Sequence, residues 1–248
     1  MKKITKISKM HYIKLVLRSL LFIAASLYYI LSRINGLDNL PIRPNEWHWL
    51  FLLIWVIYAL EMVFRFFPSK LESPGCQKQF YRNYQPIKNN QPLLQSWKRT
   101  ATVVLVWLTL NSIIGLLYYF NIVDKGILIL ISLAYGVCDM ICILFFCPFQ
   151  TWIMKNRCCT TCRIYNWDFA MMFTPFIFIP TTYTWSLLGL SLLLLLRWEV
   201  TFKIHPERFS DKTNQYIQCK HCTEKLCCHK KQLQGFLKQH KHFFHIQK

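Results

Sequence analysis

Eight cysteines of this chain fall into two groups whose spacing suits thiolate chemistry. In the stretch Cys147 to Asp168, CPFQTWIMKNRCCTTCRIYNWD, Cys159 and Cys162 form a C-x-x-C pair. Cys158 directly precedes the pair and Cys147 stands twelve residues before it. Two residues between thiols let both sulfurs turn onto one ion from a tight turn, as zinc and iron–sulfur sites require. In the C-terminal segment QCKHCTEKLCCHKKQ, Cys219, Cys222, Cys227 and Cys228 supply enough ligands for one tetrahedral site, with His229 adjacent. Lys220, Lys225, Lys230 and Lys231 surround them and favour the thiolate form. Adjacent cysteines do not easily ligate one ion together, so each of the pairs Cys158–Cys159 and Cys227–Cys228 leaves a spare thiol. Three arrangements stay open: two separate sites, one merged site built from two C-x-x-C knuckles, or reduced bystander thiols. The merged site requires both segments to face the same compartment.

The elements that must position these cysteines are long apolar blocks. Of 248 residues, 54% are hydrophobic, and they cluster rather than alternate, which is the pattern of a membrane protein. The blocks predict transmembrane helices over 15–31, 47–67, 101–123 and 126–146, and a fifth block over 169–198. As one straight helix the fifth block is longer than the hydrocarbon core needs. It carries Pro175, Pro180 and the polar run Thr181-Thr182-Tyr183-Thr184, which predict a break and a hairpin. Only Asp124 and Lys125 separate the third and fourth spans, so these form a tight antiparallel pair. The fold class is therefore all-α and polytopic: a membrane domain over 1–200, followed by a basic, Cys/His-rich tail over 201–248.

The net charge of +19 sits mostly in segments flanking the apolar blocks. That placement points to membrane topology and to anionic lipid headgroups, and away from nucleic acid. Residues 1–14 carry five lysines and no acid, 65–99 are net +6, and 201–248 are net +7, whereas 32–46 and 124–125 are neutral. Cationic loops stay on the cytoplasmic side, so both termini are expected in the cytoplasm, with an even number of crossings. His240, His242 and His245 belong to a basic end expected to lie on anionic lipid.

Charged residues inside the blocks carry further expectations. Arg18 is expected to snorkel to the interface. Glu61 is expected to pair with Arg65 at i+4. Asp139, near mid-bilayer with Cys138 and Cys142 beside it, must be protonated, paired or turned to a polar interior, and with Asn111 it reads as glue between helices. A proton or ion path through Asp139 and Glu61 is the sharper alternative. The chain has no Gly-rich phosphate loop, G-x-S-x-G elbow or H-E-x-x-H motif.

The segments CPFQ, NRCCTTCRIYNWD, HPERF and the tail C-x-x-C with its following Leu-Cys resemble a family of small bacterial polytopic membrane proteins. The resemblance covers about the last 100 residues and implies an architecture and a bacterial plasma-membrane location, not a reaction. From the residues themselves, the leading expectation is a membrane protein whose cytoplasmic cysteine clusters hold structural zinc. The rivals are an oxidoreductase or electron carrier with an iron–sulfur cluster or redox dithiol, and a transporter of ions or protons.

Overall fold

In a computed structural model, residues 6–34, 48–68, 74–87, 90–156, 158–218 and 220 are described. Cys219, Cys222, Cys227 and Cys228 lie outside that set, as does the side chain of Cys159. Every regular element among the described residues is helical: α1 (Lys6–Ile34), α2 (His48–Phe64), α3 (Pro74–Gln79), α4 (Trp97–Tyr119), α5 (Lys125–Leu144), α6 (Asp168–Phe173) and α7 (Thr182–Ile204), linked in places by 3-10 turns. Three of them, α1, α4 and α5, are long and apolar enough to cross a membrane, which makes this a membrane protein. The outer faces of α1 and α4, with Leu17, Leu20, Leu27, Leu105 and Leu108, are exposed, as lipid-facing surface must be.

The turn between α4 and α5 follows from two side chains. Asn121 takes φ 58°, a left-handed conformation that asparagine tolerates, and so ends α4 four residues before the expected boundary. Asp124 then caps α5, accepting from the Ile127 N–H at 2.8 Å. The same carboxylate accepts from the Tyr29 hydroxyl at 2.8 Å and from Arg33 at 2.5 Å, which pins the end of α1 to the start of α5. At the opposite end Tyr12 meets Phe145 edge-on, so α1 and α5 run antiparallel.

The fifth block breaks as its prolines predict. α6 passes into a 3-10 turn at Thr174–Phe178, and α7 restarts after Pro180. The polar run is the cap of α7: Thr181 accepts from the Thr184 N–H at 3.3 Å and Thr184 accepts from the Thr181 N–H at 3.2 Å. Irregular backbone survives at membrane depth only when enclosed by protein. Here Ser132 of α5 donates to the Met172 carbonyl at 2.8 Å, and Trp107 of α4 donates to the Thr174 hydroxyl at 3.1 Å. Phe169, Phe173 and Phe176 stack along this segment and form the centre of the core, with Tyr58 edge-on to Phe173. A Cβ at Gly115 would overlap the Phe178 ring, so α4 approaches this segment only because that position is glycine.

α7 returns to the end where α6 began. Glu199 receives Arg163 at 2.5 Å and the Trp167 indole at 2.7 Å, both from residues just before α6. The start of α1, the ends of α2, α5 and α7, and the start of α4 therefore share one end of the bundle. That end also receives the first part of the tail: Gln215 N–H donates to the Gln85 carbonyl at 2.9 Å, and Asn214 donates to the Lys78 carbonyl at 3.1 Å.

Two expectations are corrected. Arg18 does not snorkel outward but is 6% exposed, held at 2.8 Å to Glu61 and 3.2 Å to Asp139. Glu61 does not pair with Arg65. α2 ends at Phe64, so Arg65 lies in the turn beyond, where helical i,i+4 geometry is lost, and it binds Asp168 at 2.5 Å instead. Glu61 takes Lys14 at 3.1 Å as its second partner.

Candidate functional site

The segment after α5 is organised by amides. Gln150 donates to the Asn156 carbonyl at 3.2 Å, and the Asn156 N–H returns to the Gln150 carbonyl at 3.0 Å, which closes the turn. The Asn156 side chain then holds the Thr161 hydroxyl at 3.1 Å. From α3, Gln79 donates to the Thr160 carbonyl at 3.0 Å and accepts from Asn166 at 2.8 Å. Gln79 and Asn156, each with both ends of its amide occupied, fix the loop.

This frame divides the four cysteines of the segment. Cys147 and Cys162 line one cavity of about 130 Å³ beneath the loop. Cys162 is buried beside Val103, Met154 and Ile164. Cys158 instead turns to the Thr160 hydroxyl at 2.9 Å. Cys159 opens the 3-10 turn that Gln79 holds.

Two further thiols enter the cavity from α5. Cys138 and Cys142, one helical turn apart, join Cys147 and Cys162 on its wall, together with Met171, Met172 and the carboxylates of Asp139 and Asp168. The Cys142 thiol is hydrogen-bonded to Cys147, and the Gln150 N–H also reaches the Cys147 sulfur at 3.4 Å. The Tyr135 hydroxyl, on the same wall, has no partner among the described residues, and its ring packs on Trp107 at 4.7 Å. The two cysteine groups singled out by spacing did not include Cys138 and Cys142. The signal was present as C-x3-C-x4-C from Cys138 through Cys142 to Cys147, which brings helix-borne and loop-borne thiols to one side of α5.

Chemically the cavity offers thiols and thioethers, soft donors and two-electron reductants, beside carboxylates already held by Arg18 and Arg65. Among the described residues no three Cys, His, Asp or Glu side chains converge on a position that could hold an ion. Asp139 and Glu61, the residues of the transport alternative, share the single guanidinium of Arg18, so neither carboxylate is isolated. Asn111 donates to the Trp107 carbonyl of its own helix at 3.0 Å. No family model, curated protein or solved structure matches this chain.

Proposed function

We propose that this is an integral membrane protein, of the bacterial plasma-membrane type, whose cysteine segments together bind zinc as a structural ion on the cytoplasmic side. α2 and the α6–α7 hairpin complete the membrane domain alongside the three apolar spans. Both termini face the cytoplasm, because the cationic segments share one end of the bundle. The observation that carries the reading is the position of α3. Its adjacent residues Lys78 and Gln79 hold, respectively, Asn214 of the tail at 3.1 Å and the Cys158–Thr161 turn at 3.0 Å. The tail up to Gln218, the residue before Cys219, is thereby anchored beside the Cys158–Thr161 turn. Cys158 or Cys159 with Cys219, Cys222, Cys227 or Cys228 then meets the four-thiolate requirement of zinc. Metal affinity in such a site is folding free energy for polar segments with little core.

The experiment is metal analysis of the full chain purified without chelator. Zinc at about one per chain, lost in Cys222→Ser together with protease protection of the tail, is the expected result. Metal content and proteolysis unchanged in both Cys222→Ser and the double variant Cys158→Ser/Cys159→Ser would end the zinc reading. A visible chromophore in anaerobically prepared protein replaces zinc with an iron–sulfur cluster.

A second reading, a redox dithiol, is favoured by one observation: the hydrogen bond between the Cys142 and Cys147 thiols inside the cavity. It assigns the cysteines of the bundle to electron exchange and those of the tail to metal.

A further inference from the structure

A second pocket, of about 360 Å³, opens at the cationic end of the bundle, and residues 161–164 contribute to its wall and to that of the thiol cavity. Its walls come from the start of α4, the turn at Met154–Asn156, and Phe202 of α7 with the residues that follow it. Two of its cations have no assigned role. Arg99 spends one guanidinium bond on the Met154 carbonyl at 3.2 Å and meets no carboxylate among the described residues. Lys155 has φ 49°, a left-handed backbone that costs a lysine about 1–2 kcal/mol, and its ammonium pairs with no carboxylate among the described residues. Arg163 also lines the pocket, but Glu199 neutralises it.

The lip of the pocket is apolar. Leu93 and Leu94 are exposed there, and Trp97, exposed at the first turn of α4, has its ring 5.3 Å from the Arg163 guanidinium on the pocket wall. A Trp beside cations at the end of a span marks the headgroup level of a bilayer. Basic pockets between transmembrane helices on the cytoplasmic side suit anionic headgroups. One carboxylate, Asp211, lies on the opposite wall and limits the cationic excess.

We infer that this pocket binds the phosphodiester headgroup of an anionic phospholipid, with Arg99 and Lys155 as the groups that recognise the phosphate. The lipid's acyl chains lie against Leu93, Leu94 and Trp97. The left-handed turn at Lys155 keeps that residue on the pocket wall. This site rests on the membrane embedding proposed above and is independent of zinc.

The test uses the full chain in detergent, with lipid binding read by native mass spectrometry. The probes are phosphatidylglycerol, phosphatidylcholine and inorganic phosphate. Phosphatidylglycerol should bind in preference to phosphatidylcholine. Arg99→Gln and Lys155→Gln should each lower that preference roughly fivefold, from about 1 kcal/mol per cation at a headgroup. Asp211→Asn should raise it. Equal binding of the two lipids, or the same preference in the double variant Arg99→Gln/Lys155→Gln, would overturn the site. Inorganic phosphate that displaces phosphatidylglycerol would convert it to a soluble-anion site and overturn the lipid assignment. If the glutamine variants do not fold, Asp211→Asn decides alone: no gain in preference counts against the pocket. A carbonate wash of native membranes checks embedding separately, because a chain released by it fails for a different reason.

Discussion

Arg18 and Asp139, 121 positions apart in the chain, meet inside the helix bundle with Nη1 3.2 Å from Oδ2. The same guanidinium donates to the Gly136 carbonyl at 3.1 Å and to Glu61 at 2.8 Å. One cation thus neutralises acids from two other helices, α2 and α5. Removing it strips Asp139 of this partner and leaves Glu61 with Lys14 alone, whereas neutralising Asp139 leaves Arg18 still paired to Glu61. Arg18→Met should therefore cost about 3–5 kcal/mol of stability, and Asp139→Asn clearly less. Unfolding of both variants in detergent checks the order. Equal losses would mean that Arg18 serves Asp139 alone.

The Cys142–Cys147 contact makes a prediction about oxidation. Mild oxidant should link these two before any other thiols of the bundle, since the pair is already in contact. Peptide mapping by mass spectrometry identifies the linked pair, and Cys147→Ser should abolish the link. If Cys138 and Cys162 are linked first, the contact is not the reactive one and the redox reading loses its support.

Close packing against the broken segment depends on glycine. Gly115→Ala would press a methyl group into the Phe178 ring and should cost about 1–3 kcal/mol. Gly189, on α7, has open space around it, so Gly189→Ala serves as the control and should be neutral or up to about 1 kcal/mol stabilising. Similar losses at both positions would show that overlap with Phe178 is not the cause.

The turn between α4 and α5 should be acid-labile. Partial burial pushes the Asp124 carboxyl up, but the Ile127 N–H, the Tyr29 hydroxyl and Arg33 outweigh that and hold it below the usual carboxylate range. A group whose folded pKa is depressed contributes stability above its unfolded value, and that contribution is lost as pH falls through the folded value. The loss should fall at and below about pH 4. Thermal unfolding across that range should show it in the native chain and not in Asp124→Asn. An identical acid limb in the two would assign the effect elsewhere.

Much of the architecture was legible because hydrophobic blocks and helix breakers are local signals. The tight α4–α5 turn and the break near Pro175 and Pro180 follow from residues adjacent in sequence. What stayed hidden depends on partners distant in sequence. Nothing near Arg18 announces Glu61 or Asp139, so its expected path was outward to the interface. Glu61 was given Arg65 because i,i+4 spacing holds only while the helix continues, and α2 stops at Phe64. The cysteine segment stood out in the sequence by spacing alone. That its thiols divide between Thr160 and a cavity shared with α5 is set by Gln79, from a short helix whose link to the loop has no sequence signature.

The unwound stretch between α6 and α7 also sets an order of events during synthesis. Pro175 brings no N–H, and the carbonyls around it cannot all be met by their own segment. Ser132 and Trp107 serve this stretch, and both belong to helices made earlier. The segment after Asp168 can therefore complete these two bonds only once α4 and α5 are in place, so its final shape is set by helices that leave the ribosome before it.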